Sequence, residues 1–319
     1  MPAYHCGAEI EAVHLAGCEI DFYAVDANLQ ADPDDLARAA ADAQAVYLIS
    51  CFGFPPPQAP PGARIVVVDA AHGLFSLTPD GPPLGEGADA TIFCPRKSLG
   101  VADGGALLVR DGAPPVNPPG GMPPRAAARS FASLVINRMA AAPGAPLRAA
   151  ARRVLGAASV GDAAAREGTL TETVIGEWGL EPADLDVAAG APAPLTRWLS
   201  LRADGEEIRA RRRRHFKAIV SGLGDLAELV PEPFRELPDG TAPLYVPIRA
   251  ADRDRALVAL LDGGVRALEI WPVPHPLLDR DRHEQLEPLR SELVALPVHQ
   301  TLRSQDLEAI VAAARRALG

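Results

Sequence analysis

Four short apolar runs constrain this chain most: AVYLIS (Ala45–Ser50), RIVVVD (Arg64–Asp69), DATIF (Asp89–Phe93) and GALLVR (Gly105–Arg110). They do not alternate apolar with polar residues, so they read as strands covered on both faces, the pattern of a mostly parallel sheet in an α/β fold. EIDFYAV (Glu19–Val25) reads as one more strand. DPDDLARAAADA follows it as a helix, with Asp32 as cap and Pro33 at the first position.

The proline-rich stretch GAPPVNPPGGMPP (Gly112–Pro124) ends the strand region, because proline supplies no ladder donor. An Ala/Arg-rich helical middle follows, then the hinge-like DVAAGAPAPL and a long helical pattern from Leu195 to Val220. LYVPIR and ALEIWPV read as strands around the helix RDRALVALLDGG, which Gly263 ends. The last helix, SQDLEAIVAAARRAL, is expected to be capped by Ser304 and to bury Leu307, Ile310 and Val311 on one face. The division expected is a large domain over residues 1–205 and a smaller C-terminal α/β domain over 206–319.

A formal charge of −10 over 319 residues argues against a general role on nucleic acid or an anionic membrane. The local basic run RARRRRHFK (Arg209–Lys217) carries Glu207 four residues before Arg211, which suits a helix face laced by ion pairs. No apolar run approaches the ~20 residues of a membrane span, and the N-terminus lacks a signal pattern, so the cytoplasm is expected. Four cysteines at unrelated spacings suggest neither a zinc knuckle nor a disulfide framework. DRDRHE (Asp279–Glu284) alternates its charges like a solvated helix start, and no metal is expected there.

Two residues can carry chemistry. Lys97 is one of only two lysines among 31 basic residues, and it lies in the connection between DATIF and GALLVR. A guanidinium stays protonated, whereas an amine can lose its proton and attack a carbonyl. Asp69 ends RIVVVD, and ligands of open α/β sheets bind at the carboxyl ends of strands. Taken singly, Asp69 could equally cap the next turn, and Lys97 could be a chance surface lysine like Lys217. Together they suit pyridoxal phosphate, which needs an amine for its aldehyde and a carboxylate for its ring nitrogen.

RIVVVDAAHGLFS followed by GEGADATIFCPRKSLGVADGGALLV resembles the core of the DegT/StrS-type sugar aminotransferases, which are fold-type I pyridoxal phosphate enzymes. PAYHCGAEIEAVHLAGCEIDFYAVD and the closing LPVHQTLRSQDLEAI resemble further elements of that family. The resemblance implies a large domain with a mostly parallel central sheet flanked by helices, and a homodimer. Lys97 would be the internal-aldimine lysine and general acid/base, Asp69 the partner of the ring nitrogen, and His72 a ring-side contact.

Cys94, three before the lysine, stands where related sequences often carry a phosphate-binding Ser, and His5 where they place a residue near the ring. Trp271 and His275, in IWPVPHP, would face the substrate cleft, although packing of Trp271 in its own domain's core is the stronger expectation. The reaction implied moves an amino group from an amino acid such as glutamate onto a nucleotide-linked keto sugar.

The resemblance begins inside the family pattern, so the upstream Gly-Thr phosphate cradle is expected to have no counterpart. The link PPPQAPPGA leaves no room for a regular helix. The alternative is a non-catalytic homologue acting as a binding or scaffold protein. GLGDLA (Gly222–Ala227) fits G-x-G-x-x-A, but it follows a helical pattern instead of the strand that a dinucleotide site needs.

Overall fold

The four apolar runs form one sheet in the order β1-β2-β3-β4: β1 Val46–Ile49, β2 Val66–Asp69, β3 Ala90–Phe93 and β4 Ala106–Val109. The computed structural model describes residues 1–101, 103–112 and 190–319. The Ala/Arg-rich middle, nearly all of the proline-rich stretch and the start of the hinge-like segment lie outside the described residues.

β1, β2 and β3 are parallel, with Ile49 opposite Asp69 and Asp69 opposite Ile92. Their carboxyl ends therefore share one edge. β4 runs antiparallel to β3, with Phe93 opposite Ala106. Burial on both faces does not extend to β4, where Leu107 and Leu108 are each 50% exposed. An outer strand has one neighbour and less cover, which an apolar run alone does not reveal.

Glu19–Val25 is not a strand. Tyr23 exchanges backbone bonds with Met1 and Ala3 at 2.9 Å, a single bridge to a three-residue partner stretch. Helix α1 spans Ala8–Leu15 and α2 spans Pro33–Ala41. Asp32 caps α2 as expected, accepting the Asp34 and Asp35 amides at 2.9 Å. A 3-10 turn at Cys51–Gly53 follows β1, and the proline-rich link beyond it forms no helix. A four-residue helix, α3 (Pro95–Ser98), joins β3 to the segment before β4.

The long helical pattern is interrupted. α4 covers Pro194–Leu201 and α5 covers Gly205–Leu223, because Asp204 starts a new helix by accepting the Glu207 amide at 3.0 Å. The expected Glu207–Arg211 pair forms on its exposed face at 2.7 Å. A second, antiparallel sheet has the order β5-β7-β6, with β5 Tyr245–Arg249, β6 Leu268–Glu269 and β7 Leu293–Pro297.

ALEIWPV yields only the two-residue β6, since Trp271 adopts φ 44° and turns the chain away. The central strand β7 has no exposed surface from Leu293 to Leu296. Helix α6 (Arg253–Asp262) is capped by Asp252 and followed by Gly263. α7 (Glu287–Glu292) precedes β7, and α8 (Ser304–Leu318) closes the described chain.

Ser304 is the first residue of α8 instead of its cap, and Asp306 takes up the Arg303 amide at 2.8 Å. α8 packs on α5 and α6 through Ile310, Ala313 and Ala314. Gly222 lets α8 approach, since a Cβ there would lie 2.7 Å from Val311 Cγ2. The first glycine of GLGDLA thus serves helix packing.

One apolar core connects the two sheets. Phe52 reaches from the end of β1 to Phe234 at 5.3 Å and Tyr245 at 6.3 Å between ring centres, and its carbonyl accepts the Leu244 amide at 2.9 Å. Among the described residues no helix is long and apolar enough to cross a membrane.

Candidate functional site

Asp69 is the last residue of β2, and both of its oxygens are held. Oδ1 accepts the Ala71 amide at 2.8 Å, and Oδ2 accepts the Tyr47 hydroxyl at 2.9 Å. Since Ile49 pairs with Asp69, Tyr47 lies two residues back on the same face of the sheet. Burial, and then the Asp69 charge, push the Tyr47 phenol well above its ordinary range. It therefore stays protonated and remains a donor.

β3 delivers the chain to α3. Pro95 occupies the first turn, where a missing N–H costs nothing, and the Leu99 amide closes the turn onto the Pro95 carbonyl at 2.7 Å. Lys97 is exposed on this turn, just beyond the strand next to Asp69. The Lys97 and Asp69 charges act on the same three groups, Cys6, Glu9 and Cys51.

Burial raises all three groups above their ordinary values. Burial raises the Glu9 carboxyl above its ordinary value, while the Cys6 amide holds Oε1 at 2.8 Å. Burial, followed by the Asp69 and Glu9 charges, pushes the Cys51 thiol up to about 12. The Cys6 thiol is raised as well, first by burial and then by Glu9. Neither thiol is poised as a nucleophile at neutral pH. All four described cysteines are free.

His72 is buried, and burial followed by the Lys97 charge holds its imidazole well below the ordinary histidine range. Its Nδ1 accepts the Phe52 amide at 3.1 Å, which assigns the proton to Nε2. The ring stacks with Phe52 at 5.9 Å and Trp271 at 5.8 Å, and Tyr245 stands edge-on at 6.2 Å. Trp271 also meets Tyr4 at 5.3 Å. Its ring thus packs against N-terminal residues, not only against the core around β7.

His5 and His275 are tied to each other. His5 Nδ1 donates to the Pro2 carbonyl at 3.0 Å, and Nε2 accepts the His275 amide at 3.2 Å. His5 has no exposed surface, stacks on Phe22, and is pushed down to about 3 chiefly by burial. Its ring nitrogens are committed to backbone. His275 Nε2 meets Glu11 Oε2 at 2.8 Å, and its Nδ1 accepts the Leu277 amide. Cys94 is half-buried at the start of α3, and its thiol makes no capping bond to that turn.

The chain thus brings Asp69, Lys97 and His72 into one electrostatic neighbourhood, and links Trp271 to it through His72. Glu9, Tyr47 and the thiols of Cys6 and Cys51 join them without being foreseen. Tyr47 could have been found only from the β1–β2 register. Glu9 reads in sequence as an ordinary acidic residue in the first turn of a helix.

No family model matches the chain, and no curated protein matches it by sequence. Solved structures do match. An aminotransferase described as DegT DnrJ EryC1 StrS, from Brucella abortus, superposes with a TM-score of 0.61 at 17% identity, over 100% of this chain and 78% of that one. A protein described as a sugar aminotransferase from Streptococcus pneumoniae gives 0.60 at 15% identity, over 99% of this chain and 78% of that one, in its apo form. A synthase of 3-amino-5-hydroxybenzoic acid gives 0.60 at 16% identity, over 100% and 79%. At these identities the likeness is one of fold, and the chain has the α/β fold of these aminotransferases.

Proposed function

We propose that this chain is a pyridoxal phosphate-dependent aminotransferase with Lys97 as its reactive amine, acting on a nucleotide-linked keto sugar. The observation that carries the reading is the placement of Asp69 and Lys97 at the carboxyl ends of neighbouring parallel strands, where both charges act on Glu9, Cys6 and Cys51. The fold is that of proteins described as sugar aminotransferases, and the S. pneumoniae protein is known in PMP and PLP forms. Those likenesses support the cofactor and a sugar as acceptor.

The donor set fits the cofactor. Each Asp69 oxygen has one protein donor, which leaves lone pairs for a ring N–H. When bound, pyridoxal phosphate supplies an aldehyde for the amine and an electron-withdrawing pyridinium. Lys97 Nζ would hold the aldehyde carbon and would carry a proton to and from the substrate carbon that bears nitrogen. Asp69 would keep the ring nitrogen protonated, while Tyr47 and the Ala71 amide stop the carboxylate from turning.

His72, neutral with its proton on Nε2, would lie at the ring side, backed by Phe52 and Trp271. Cys94 would border the phosphate, and Trp271 would shape the substrate cleft. His5 and His275 would act at a distance, by fixing the N-terminal stretch to the loop after Trp271. The remaining parts of the proposal are a large domain over 1–205 with a small one over 206–319, a homodimer, an amino acid donor such as glutamate, and a cytoplasmic setting.

The test is a visible spectrum of the purified protein with pyridoxal phosphate, followed by borohydride reduction and peptide mapping. A modified Lys97 peptide supports the enzyme. A colourless product, or modification confined to Lys217, supports a binding or scaffold homologue instead.

A further inference from the structure

The geometry points to Arg212 as the residue that positions Lys97, acting together with Gln300 through the carbonyl of Ser98. This rests on the reading of Lys97 as the reactive amine, but on no particular substrate.

Arg212 lies on α5 and is only 2% exposed, the largest of the fully buried side chains. No carboxylate among the described residues pairs with it. A buried cation without a counter-charge is costly unless every donor is used well. Its Nη2 donates to the Ser98 carbonyl at 3.1 Å and its Nε to Gln300 Oε1 at 3.0 Å. Gln300 Nε2 donates to the same Ser98 carbonyl at 3.0 Å. The three groups form a closed triangle of hydrogen bonds.

That triangle grips the turn that carries Lys97. Ser98 follows Lys97 and ends α3, so its carbonyl is one of the orphan acceptors of a helix C-terminus. A four-residue helix cannot sustain itself, because nucleation fixes several residues for a single bond. Within the turn the Lys97 amide reaches the Cys94 carbonyl at 3.2 Å, and Leu99 closes onto Pro95. The remaining support comes from residues 114 and 202 positions away in sequence. Methionine would fill the space of Arg212 but could not hold the carbonyl. Arginine suits the task because its fixed fork meets two acceptors at once.

Lys97 and Lys217 are the only lysines, and Lys217 is exposed on α5, so each molecule carries its own reference amine. Competitive labelling with trace acetic anhydride gives the Lys97 to Lys217 reactivity ratio without cofactor or turnover. In the unaltered protein this ratio should depart from one, because Lys97 stands on a short turn held through the Ser98 carbonyl whereas Lys217 projects from the middle of a long helix.

Arg212→Met should move the ratio toward one by about tenfold, the factor that corresponds to one charge-assisted hydrogen bond. Gln300→Leu removes the second donor and should move it the same way by less; it also serves should Arg212→Met fail to fold. Val311→Ala, which loosens α8 packing away from Ser98, should leave the ratio unchanged. An unaltered ratio in folded Arg212→Met or in Gln300→Leu overturns the inference, as does a ratio of one in the unaltered protein. If borohydride still traps pyridoxal phosphate on Lys97 in the unaltered chain, only the role of Arg212 falls, and the proposed function survives.

Discussion

The hydroxyl of Tyr47 donates to Asp69 Oδ2 at 2.9 Å across the parallel pair β1–β2. The carboxylate at the end of β2 is thus aimed by its neighbouring strand, and its orientation is a property of the sheet and not of a loop. Burial and the Asp69 charge keep the phenol protonated, so the bond persists through the neutral pH range. Removing it by Tyr47→Phe keeps the ring and its packing but frees the carboxylate to rotate. Affinity for pyridoxal phosphate, measured by absorbance titration, should fall by about tenfold, the loss expected for one hydrogen bond to a charged acceptor. Equal affinity would detach Tyr47 from the cofactor.

Lys97→Ala removes an exposed side chain from a turn held by backbone bonds and by the Ser98 carbonyl. The thermal midpoint should change little. Any transamination should drop by about 10²–10⁴-fold or vanish, since both the nucleophile and the proton carrier are lost. A half-reaction assay, following absorbance as an amino donor is added, reads this directly. Turnover close to that of the unaltered chain would refute the assigned role.

Much of the site was legible because it ends strands. Asp69 ends the apolar run RIVVVD and Lys97 follows DATIF, and those runs alone predict buried parallel strands. What escaped depends on contacts between distant segments. Arg212 sits in a run of arginines that reads as a solvated face, and only the packing of α5 turns that one member inward. β7 has no boundary in the sequence because its five residues adjoin α7 without a turn signal between them. β6 is shorter than its apolar run suggests because the positive φ of Trp271 has no mark in sequence. Residue type makes Ser304 a cap candidate, whereas Asp306 accepts the amide of Arg303, one position earlier.

Trp271 stacks on His72 and leans on Tyr4, so Trp271→Ala should have two effects. Substrate affinity should weaken, seen as a higher KM with kcat less affected. Stability should fall too, since each aromatic pair contributes about 0.5–1.5 kcal/mol beyond its buried area. Trp271→Phe should recover most of the stability. An unchanged KM in a folded Trp271→Ala protein would place the indole outside the substrate's reach.

Gly222→Ala tests the close approach of α5 and α8. The added methyl would lie 2.7 Å from Val311 Cγ2 and 3.0 Å from Cγ1, so one helix must shift. Overpacking of this kind costs about 1–3 kcal/mol, measurable by urea denaturation. The double variant Gly222→Ala with Val311→Ala should regain part of the loss. If Gly222→Ala were neutral, the glycine would not be needed for packing.

His5 makes a pH prediction whose sign follows from its burial. Its folded-state value is about 3, pushed down chiefly by desolvation, against an ordinary value near 6.5 in the unfolded chain. Between those values the unfolded chain binds a proton that the native state refuses, so acid favours unfolding. Stability should be independent of His5 above pH 6.5 and should fall as pH drops below it, by about 1.4 kcal/mol per pH unit. His72, buried and also held low, acts in the same direction. His5→Gln retains an amide donor and acceptor that can serve Pro2 and His275, but it cannot titrate. Urea unfolding at pH 7.5, 6.5 and 5.5 should therefore show a shallower loss in His5→Gln than in the unaltered chain. Parallel pH profiles for the two proteins would mean that His5 becomes protonated without leaving its buried place.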